Sequence, residues 1–209
     1  MKILAVSDQV VDSLYSPIVT DRFGEVDLIL GCGDLPYYYL EYLTTVLNRP
    51  LYYMQGNHDT PIVYTELGQQ TVVPGGCEPL DGRVAVFKGL ILAGLGGSIR
   101  YNNQGDYQYT QTQMDRRALR LALGLVLRRL RYGRWMDILV THSPPFGVGD
   151  SPDQAHIGFR AFNTLMRRLR PRYLLHGHQH VYRGQEPGAQ VGSTTVLNVF
   201  PYRVIEWES

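Results

Sequence analysis

The chain has 209 residues, of which 44% are hydrophobic and 19% are charged, and its formal net charge is +1. This composition is ordinary for a globular protein and excludes a disordered chain, and the small net charge gives no strong long-range attraction to nucleic acid or membrane. We therefore expect a single domain over residues 1–209, located in the cytoplasm and without a transmembrane span.

Short apolar runs, which are typical of buried strands, alternate along the chain with longer helical patterns. Strands are predicted at Lys2 to Ser7, Asp27 to Gly31, Leu51 to Gln55, Val84 to Phe87, Leu90 to Leu95, Asp137 to Thr141, Tyr173 to His176, Thr194 to Phe200 and Arg203 to Trp207. Helices are predicted at Tyr38 to Asn48, Gln113 to Tyr132 and Phe159 to Arg170, each ending beside a proline or a glycine. The alternation predicts an α/β fold.

The longest predicted helix carries an arginine stripe opposite an apolar face. The stripe consists of Arg117, Arg120, Arg128 and Arg131, and the apolar face includes Met114, Ala118, Leu121 and Leu125. A solvated helix exterior is the favoured interpretation of the stripe, and a phosphate-binding stripe is the alternative.

Polar residues that can bind metal ions follow five of the predicted strands, at the point where each strand ends. They are Asp8, Asp34, Asn57 with His58, His142, and His178 with His180. In open α/β sheets ligands bind at this edge, because loops converge there while the strands hold their starting points in place. Adjacent glycines, among them Gly33 and Gly177, permit tight turns and close backbone approach. The sequence thus predicts one polar site at a sheet edge.

The order and spacing of these segments resemble the calcineurin-like metallophosphoesterase superfamily. The family pattern is Asp-x-His, then Gly-Asp, then Gly-Asn-His followed by an acidic residue, then a lone His, then Gly-His-x-His. Four of the five blocks are intact, at Gly33 to Asp34, Gly56 to Asp59, Thr141 to Pro145 and Gly177 to His180. The resemblance implies a four-layer αββα sandwich of two mixed β-sheets flanked by helices, with a two-metal site at one edge.

The resemblance also implies a role for each matched residue in the hydrolysis of a phosphate ester. Two cations about 3.5 to 4 Å apart would neutralise the phosphate oxygens and lower the pKa of a bound water. The implied ligands are Asp34 for both ions, Asp8 and His180 for the first, and Asn57, His142 and His178 for the second. His58 would donate a proton to the leaving alkoxide, while Asp59 would either orient the His58 imidazole or cap the following turn.

The mixture of nitrogen and oxygen ligands favours two divalent transition metal ions, Mn before Fe, Zn or Ni. Val10, however, stands where the family pattern has its first histidine, and valine cannot bind a metal ion. Three outcomes are open: a weaker first site completed by water, a replacement ligand from Gln9 or Asp12, or a single ion at the second site. We favour the weaker first site, because three protein ligands with solvent form a familiar catalytic arrangement.

Several further residues have two interpretations each. His156 lies in a glycine- and proline-rich loop, and it would either contact the substrate phosphate or cap the helix that begins near Gly158. His176 precedes Gly177 at a strand end, so a supporting hydrogen bond is favoured over metal ligation. The tyrosines at positions 37 to 39, 101, 107 and 109 could line a cleft for a ring, although ordinary packing explains most tyrosines.

We therefore expect a metal-dependent phosphoesterase that hydrolyses a small phosphomonoester or phosphodiester with a metal-activated hydroxide. The first alternative is a non-catalytic scaffold, because the superfamily includes a retromer subunit with an impaired metal site and Val10 weakens the site here. The second alternative is a nuclease that grips a nucleic acid backbone with the arginine helix, whose binding would weaken steeply with salt. A small-molecule substrate is favoured over nucleic acid, and no membrane partner is expected.

Overall fold

The structure is a computed structural model that describes residues 1–60, 62–65, 68–71, 73–102, 105–181 and 188–208. The strands are β1 (Lys2–Val6), β2 (Leu28–Gly31), β3 (Leu51–Tyr53), β4 (Ile62–Thr65), β5 (Gly68–Thr71), β6 (Cys77–Pro79), β7 (Val84–Phe87), β8 (Leu90–Leu95), β9 (Ser98–Ile99), β10 (Gln108–Tyr109), β11 (Ile138–Thr141), β12 (Tyr173–His176), β13 (Ala189–Val191), β14 (Thr194–Asn198) and β15 (Tyr202–Glu206). The helices are α1 (Val19–Phe23), α2 (Tyr37–Leu47), α3 (Gln111–Gly124), α4 (Val126–Tyr132) and α5 (Arg160–Leu169).

Two large sheets organise the fold. The first has the order β15-β1-β2-β3-β6, in which β15 is antiparallel to β1 and the other neighbours are parallel. The second has the order β13-β14-β12-β11-β8-β7, with a parallel centre and antiparallel strands at both edges. Strand pairs β4-β5 and β9-β10 form two small additional sheets. Both large sheets are therefore mixed, as the resemblance implied.

Alternating side chains of the buried strands divide between separate apolar clusters. In β8, Leu90 and Leu92 pack between the two sheets, whereas Ile91, Ala93 and Leu95 pack outward against α3 and α5. This division follows from the two-residue period of a strand that is buried on both faces. It also explains why β8 is a continuous apolar run in the sequence rather than an alternating one.

The helices cover the outer faces of the sheets. Leu40 and Leu43 of α2 pack with Leu4 of β1 on the first sheet, and Phe162 of α5 packs with Leu139 of β11 on the second. The layers run helix, sheet, sheet, helix, and the inner faces share one apolar cluster. The predicted αββα sandwich is therefore confirmed.

The predicted elements are all found, with differences at their ends. The predicted helix from Gln113 to Tyr132 is divided at Leu125 into α3 and α4. Gly124 at this point is a poor helix former, since glycine costs about 1 kcal/mol relative to alanine in a helix. The helix begins at Gln111, two residues before the predicted start, because the Thr110 side chain caps it by accepting from the Gln113 amide in a capping box. Short α1 and the strands β4, β5, β6, β9, β10 and β13 were not predicted.

The apolar face of the arginine helix is buried as predicted, with Met114 and Leu125 fully enclosed. The stripe itself is only partly solvated. Arg120 and Arg131 are exposed, whereas Arg117 is half-buried, pairs with Asp81 at 2.5 Å and lies over the Tyr109 ring. Arg117 thus fixes α3 to the loop before β7. Within the described ranges, no helix combines the length and apolar character needed to cross a bilayer.

Candidate metal centre

Four candidate ligands meet where strands of both large sheets end. Asp8 follows β1, Asp34 follows β2, His142 follows β11, and His178 follows β12. One ligand atom from each of the four lies within 4.8 Å of the others. Because each sheet supplies two of these residues, the site depends on the packing of the sandwich.

The backbone turns sharply at three of these residues. Asp8, Asp34 and His178 have positive φ angles of 64°, 55° and 66°. This left-handed conformation costs residues other than glycine about 1 to 3 kcal/mol each, and such residues concentrate at functional sites. The strained turns therefore indicate that the position of these three side chains is important to the protein.

Hydrogen bonds direct one nitrogen of His142 into the site. Its Nδ1 lies 2.9 Å from the carbonyl oxygen of Cys32, and its Nε2 lies 3.2 Å from both Asp34 Oδ2 and Asn57 Oδ1. A carbonyl oxygen can only accept, so Nδ1 carries a hydrogen and Nε2 holds the lone pair of the neutral ring. A histidine fixed in this way by a backbone carbonyl is the usual arrangement for a metal ligand.

Asp8 presents an oxygen that lacks a good hydrogen-bond partner. Its Oδ2 accepts from the His178 amide at 2.9 Å and from the Ser7 hydroxyl. Its Oδ1 is buried and accepts no hydrogen bond from the described part of the chain, with His180 Nε2 at 3.4 Å. A carboxylate oxygen that is buried with only this long contact to His180 is poorly satisfied, and a bound cation would stabilise it. The donor set therefore fits a divalent metal ion.

His178 is held in its neutral form. Its Nε2 lies 2.8 Å from the carbonyl oxygen of Ala155, so Nε2 donates and Nδ1 keeps the lone pair. Burial, together with the charge of nearby His142, lowers the pKa of His178 to about 4. The ring can therefore act as a neutral nitrogen ligand at physiological pH.

His142 and Asp34 form a charged pair in the metal-free protein. Burial opposes both charges, but each group stabilises the charge of the other. The Asp34 and Asp8 carboxylates raise the pKa of His142 to about 9, and His142 with the His58 amide holds the pKa of Asp34 at about 2. The carboxylates therefore attract positive charge, which includes a proton on His142 when no metal is bound, and Asp8 also raises the pKa of His180.

We predict that metal affinity rises with pH, because His142 must lose its proton to become a ligand. Since the pKa of His142 is about 9 and that of His178 is already about 4, His142 contributes one released proton between pH 7 and 8, and His178 contributes none. Apparent affinity should increase about tenfold per pH unit in this interval. Chelator competition at several pH values measures the slope, and affinity that does not change with pH would contradict the assignment of His142.

Asn57 and His180, the two other predicted ligands, lie beside this group. Asn57 Nδ2 donates to the Tyr101 hydroxyl at 3.2 Å, which turns Oδ1 toward His142. The His180 ring stacks on Phe200 with centroids 4.6 Å apart. Both side chains are within reach of the group, and the presence of two ions stays a prediction.

His58 and Asp59 differ in what they contact. The His58 amide donates to Asp34 Oδ1 at 2.8 Å, and its exposed side chain faces the cavity over the ligands. Asp59 Oδ2 accepts from the amides of Asp34 and Gly56, at 2.9 and 2.8 Å. Burial and the Asp34 charge raise the pKa of Asp59 to about 6. Asp59 thus joins two ligand-bearing loops, and its predicted effect on His58 stays a prediction.

A cavity of about 210 Å³ lies over the ligands, and of the two histidines with open interpretations, His156 lines it and His176 does not. It is lined by Asp8, Asp34, His58, His156, His178 and His180. The His156 ring lies 4.9 Å from the His178 ring and its Nδ1 lies 2.7 Å from Asp153 Oδ1. His176 does not line it, and its buried Nδ1 lies 2.9 Å from the Gly177 carbonyl oxygen. His156 therefore lines the cavity, and its contact with a substrate stays a prediction.

Val10 lies outside this cavity. Its side chain packs on the apolar cluster between the first sheet and its helices. The suggested replacements, Gln9 and Asp12, are both exposed and neither lines the cavity. A first site that is weaker and completed by water remains the favoured prediction.

Several residues contact the candidate ligands in ways that were not predicted from the sequence. Cys32 and Ala155 act through their carbonyl oxygens, which every residue possesses. Ser7 could have been suggested by its position before Asp8 at a strand end. Tyr101, which bonds Asn57, lies 44 positions away along the chain and has no motif of its own.

We predict that Gly177→Ala weakens metal binding about 10- to 100-fold, the usual effect of disturbing a group that orients a ligand. A Cβ at this position would overlap Ser7 Oγ and Asp8 Oδ2, so the Asp8 carboxylate would have to move. Gly124→Ala is the matched control, because its Cβ meets nothing within 4 Å. Titration with Mn²⁺ measures both variants, and equal affinities would contradict the prediction.

Comparison with known proteins gives a family. The family model of calcineurin-like phosphoesterases matches residues 1–182. One crystal structure is similar with a TM-score of 0.63 and 17% identity, covering 98% of this chain and 94% of the other. A crystal structure of a Vps29 single mutant from Entamoeba histolytica has a TM-score of 0.44 and 15% identity, covering 95% and 73%. No curated protein matches the chain.

Proposed function

Because the chain belongs to the calcineurin-like phosphoesterase family, we propose that it is a metal-dependent hydrolase of small phosphomonoesters or phosphodiesters. The observation that carries this proposal is the group of Asp8, Asp34, His142 and His178, whose ligand atoms lie within 4.8 Å of one another. His180 would complete the first metal position with Asp8 and Asp34, and Asn57 would complete the second with Asp34, His142 and His178. Mn is the favoured ion, with Fe, Zn or Ni as alternatives.

The residues around the cavity would have separate roles in hydrolysis. Divalent ions held by these residues would supply charge neutralisation and an activated water. His58, at the cavity wall, would donate a proton to the oxygen of the leaving group. His156 would donate a hydrogen bond to a phosphate oxygen. Asp59 would connect the loop that carries Asp34 to the loop that carries Gly56. The distance between the ligand Asp34 and the proton donor His58 would thereby be kept constant.

One group of arginines, which contains no member of the stripe on the arginine helix, lies far from the metal ligands. Arg129, Arg134, Arg167, Arg168, Arg170 and Arg172 line a separate cavity of about 890 Å³ with Lys88. That cavity lies at the amino ends of β8, β11 and β12, whereas the metal ligands lie at the carboxyl ends. The six residues of β8 separate the two edges by roughly 20 Å at about 3.3 Å per residue. A phosphate group bound in that cavity would not contact the metal ligands, so this cavity does not favour a nucleic acid substrate.

The test of this function is restoration of activity to metal-stripped protein. Phenyl phosphate and bis-phenyl phosphate would be supplied with Mn²⁺, Ni²⁺, Zn²⁺ or Mg²⁺ added separately. Hydrolysis that requires an added transition metal supports the proposal. Tight ion binding without hydrolysis of either ester would favour the non-catalytic scaffold instead.

A further inference from the structure

A second cavity adjoins the one over the metal ligands. It has a volume of about 480 Å³ and is lined by Asp34, Leu35, Pro36, Tyr37, Tyr38, His58, Asp59 and Thr60. Asp34 and His58 belong to the walls of both cavities. The two spaces therefore meet at the metal ligand and at the candidate proton donor.

The cavity over the ligands is too small for a whole substrate. Its 210 Å³ lies below the range of about 300 to 1,000 Å³ that is usual for ligand pockets, so it accommodates a phosphoryl group more readily than a whole ester. The adjoining 480 Å³ falls within the range of about 300 to 1,000 Å³ that is usual for ligand pockets. The organic part of a phosphate ester must therefore extend beyond the ligands.

The position of His58 indicates the direction in which the organic part of the substrate extends from the metal ligands. A proton donor must lie within hydrogen-bond reach of the leaving oxygen, about 2.6 to 3.2 Å. Since His58 stands on the wall shared by the two cavities, a leaving group that it protonates would lie in the second cavity. This step rests on the proposed function.

Two tyrosines give the second cavity its chemical character. Tyr38 is 54% exposed, and its ring meets that of Tyr15 edge-on at 5.6 Å. Tyr37 is half-buried, and its ring meets that of Tyr53 at 6.1 Å. These contacts restrain both rings, and exposed Pro36 adds apolar surface. Flat rings gain from stacking against such walls.

The charges of the walls exclude some leaving groups. Asp34 and Asp59 are both acidic, and the described lining contains no lysine or arginine. Asp34 would be compensated by the metal ion that it binds, so an anionic leaving group would be repelled chiefly by the Asp59 carboxylate, which no basic side chain of the described lining offsets. An uncharged group is therefore favoured.

We propose that the cavity lined by Tyr37 and Tyr38 is the leaving-group subsite and that it takes an uncharged planar ring. The preferred substrates are then phosphate esters whose alcohol carries an aromatic ring, rather than alkyl esters or esters of acidic alcohols. Tyr38 is the residue that sets this preference, because more than half of its side chain is free to contact a ligand.

Phosphonates, which cannot be hydrolysed at the carbon–phosphorus bond, test the subsite independently of catalysis. Benzylphosphonate, 4-carboxybenzylphosphonate and methylphosphonate would be titrated by calorimetry into Mn²⁺-loaded protein. We expect benzylphosphonate to bind at least about tenfold more tightly than methylphosphonate, as stacking of one ring provides. The carboxylated ring should lose most of this advantage.

Tyr38→Ala should weaken benzylphosphonate binding about tenfold and leave methylphosphonate binding unchanged. Tyr132→Ala, at the end of α4 and outside the cavity lining, is the control that should alter neither. Equal binding of the two phosphonates by the wild type, an equal loss for both in Tyr38→Ala, or binding of neither would overturn the subsite. A ring preference without hydrolysis of any ester would support the subsite and contradict the proposed function.

Discussion

Asp34→Asn is expected to abolish tight metal binding and the hydrolysis that depends on it. The variant keeps the size of the side chain, and its Oδ1 can still accept from the His58 amide, so the loop should be retained. The new amide group, however, would face His142 Nε2, now 3.2 Å from Asp34 Oδ2, and would donate to the lone pair that a metal needs. One ligand would be removed and a second would be occupied.

The loss in metal affinity should exceed about 100-fold, which is the upper end for residues that only support a ligand. Chelator competition measures the affinity, and ester hydrolysis at saturating metal measures the activity. Asp27→Asn is a matched control, because Asp27 pairs with Lys88 at 2.8 Å on the surface. Wild-type affinity in Asp34→Asn would show that Asp34 is not a ligand.

The control must also distinguish metal loss from unfolding. Thermal unfolding in the presence of a chelator compares the metal-free forms directly. Added Mn²⁺ should then raise the unfolding temperature of the wild type and of Asp27→Asn, since a ligand that binds the folded state stabilises it. Asp34→Asn should show a much smaller increase.

The central strands could be predicted because their pattern has a single explanation. The apolar run from Leu90 to Leu95 is bounded by polar and glycine residues, and burial on both faces requires every position to be apolar. The ligand positions could be predicted for a related reason. Asp8, Asp34 and His142 are polar residues placed directly after such strands, where a sheet edge gathers loops.

The division of α3 from α4 and the short strands could not be predicted in the same way. Leu125 fits the apolar face of one continuous helix, and it is buried as that face requires, yet the backbone hydrogen bonds change there. Strands β9 and β10 have two residues each, which is a single period of the strand pattern and too short to be recognised. Tertiary contacts, rather than local sequence preference, determine where such a helix is interrupted and where such short strands form.

Asp59 shows why the chemistry of the site was harder to predict than its location. Its place after His58 suggested an effect on the imidazole, but its carboxylate accepts from the backbone amides of Asp34 and Gly56. Backbone amides are present at every residue except proline, so a sequence pattern cannot reveal which of them a side chain will choose. The same is true of the Cys32 carbonyl that orients His142.

His58→Ala is expected to slow hydrolysis by an amount that depends on the leaving group. General acid catalysis contributes about 10²- to 10⁴-fold when the leaving oxygen needs a proton. An alkyl or phenyl ester has such an oxygen, so its kcat should fall by roughly this factor. A 4-nitrophenyl ester leaves as a stable anion and should lose far less.

The contrast between esters separates proton donation from other roles of His58. The side chain lines the cavity but is absent from the group of four ligands, so metal affinity should stay at the wild-type value. His58→Gln tests the alternative that His58 only donates a hydrogen bond, because an amide can donate one without releasing a proton. An equal fall in kcat for all three esters would show that His58 positions the substrate, and unchanged kcat values would place the proton donor elsewhere in the cavity, where His156 is the next candidate.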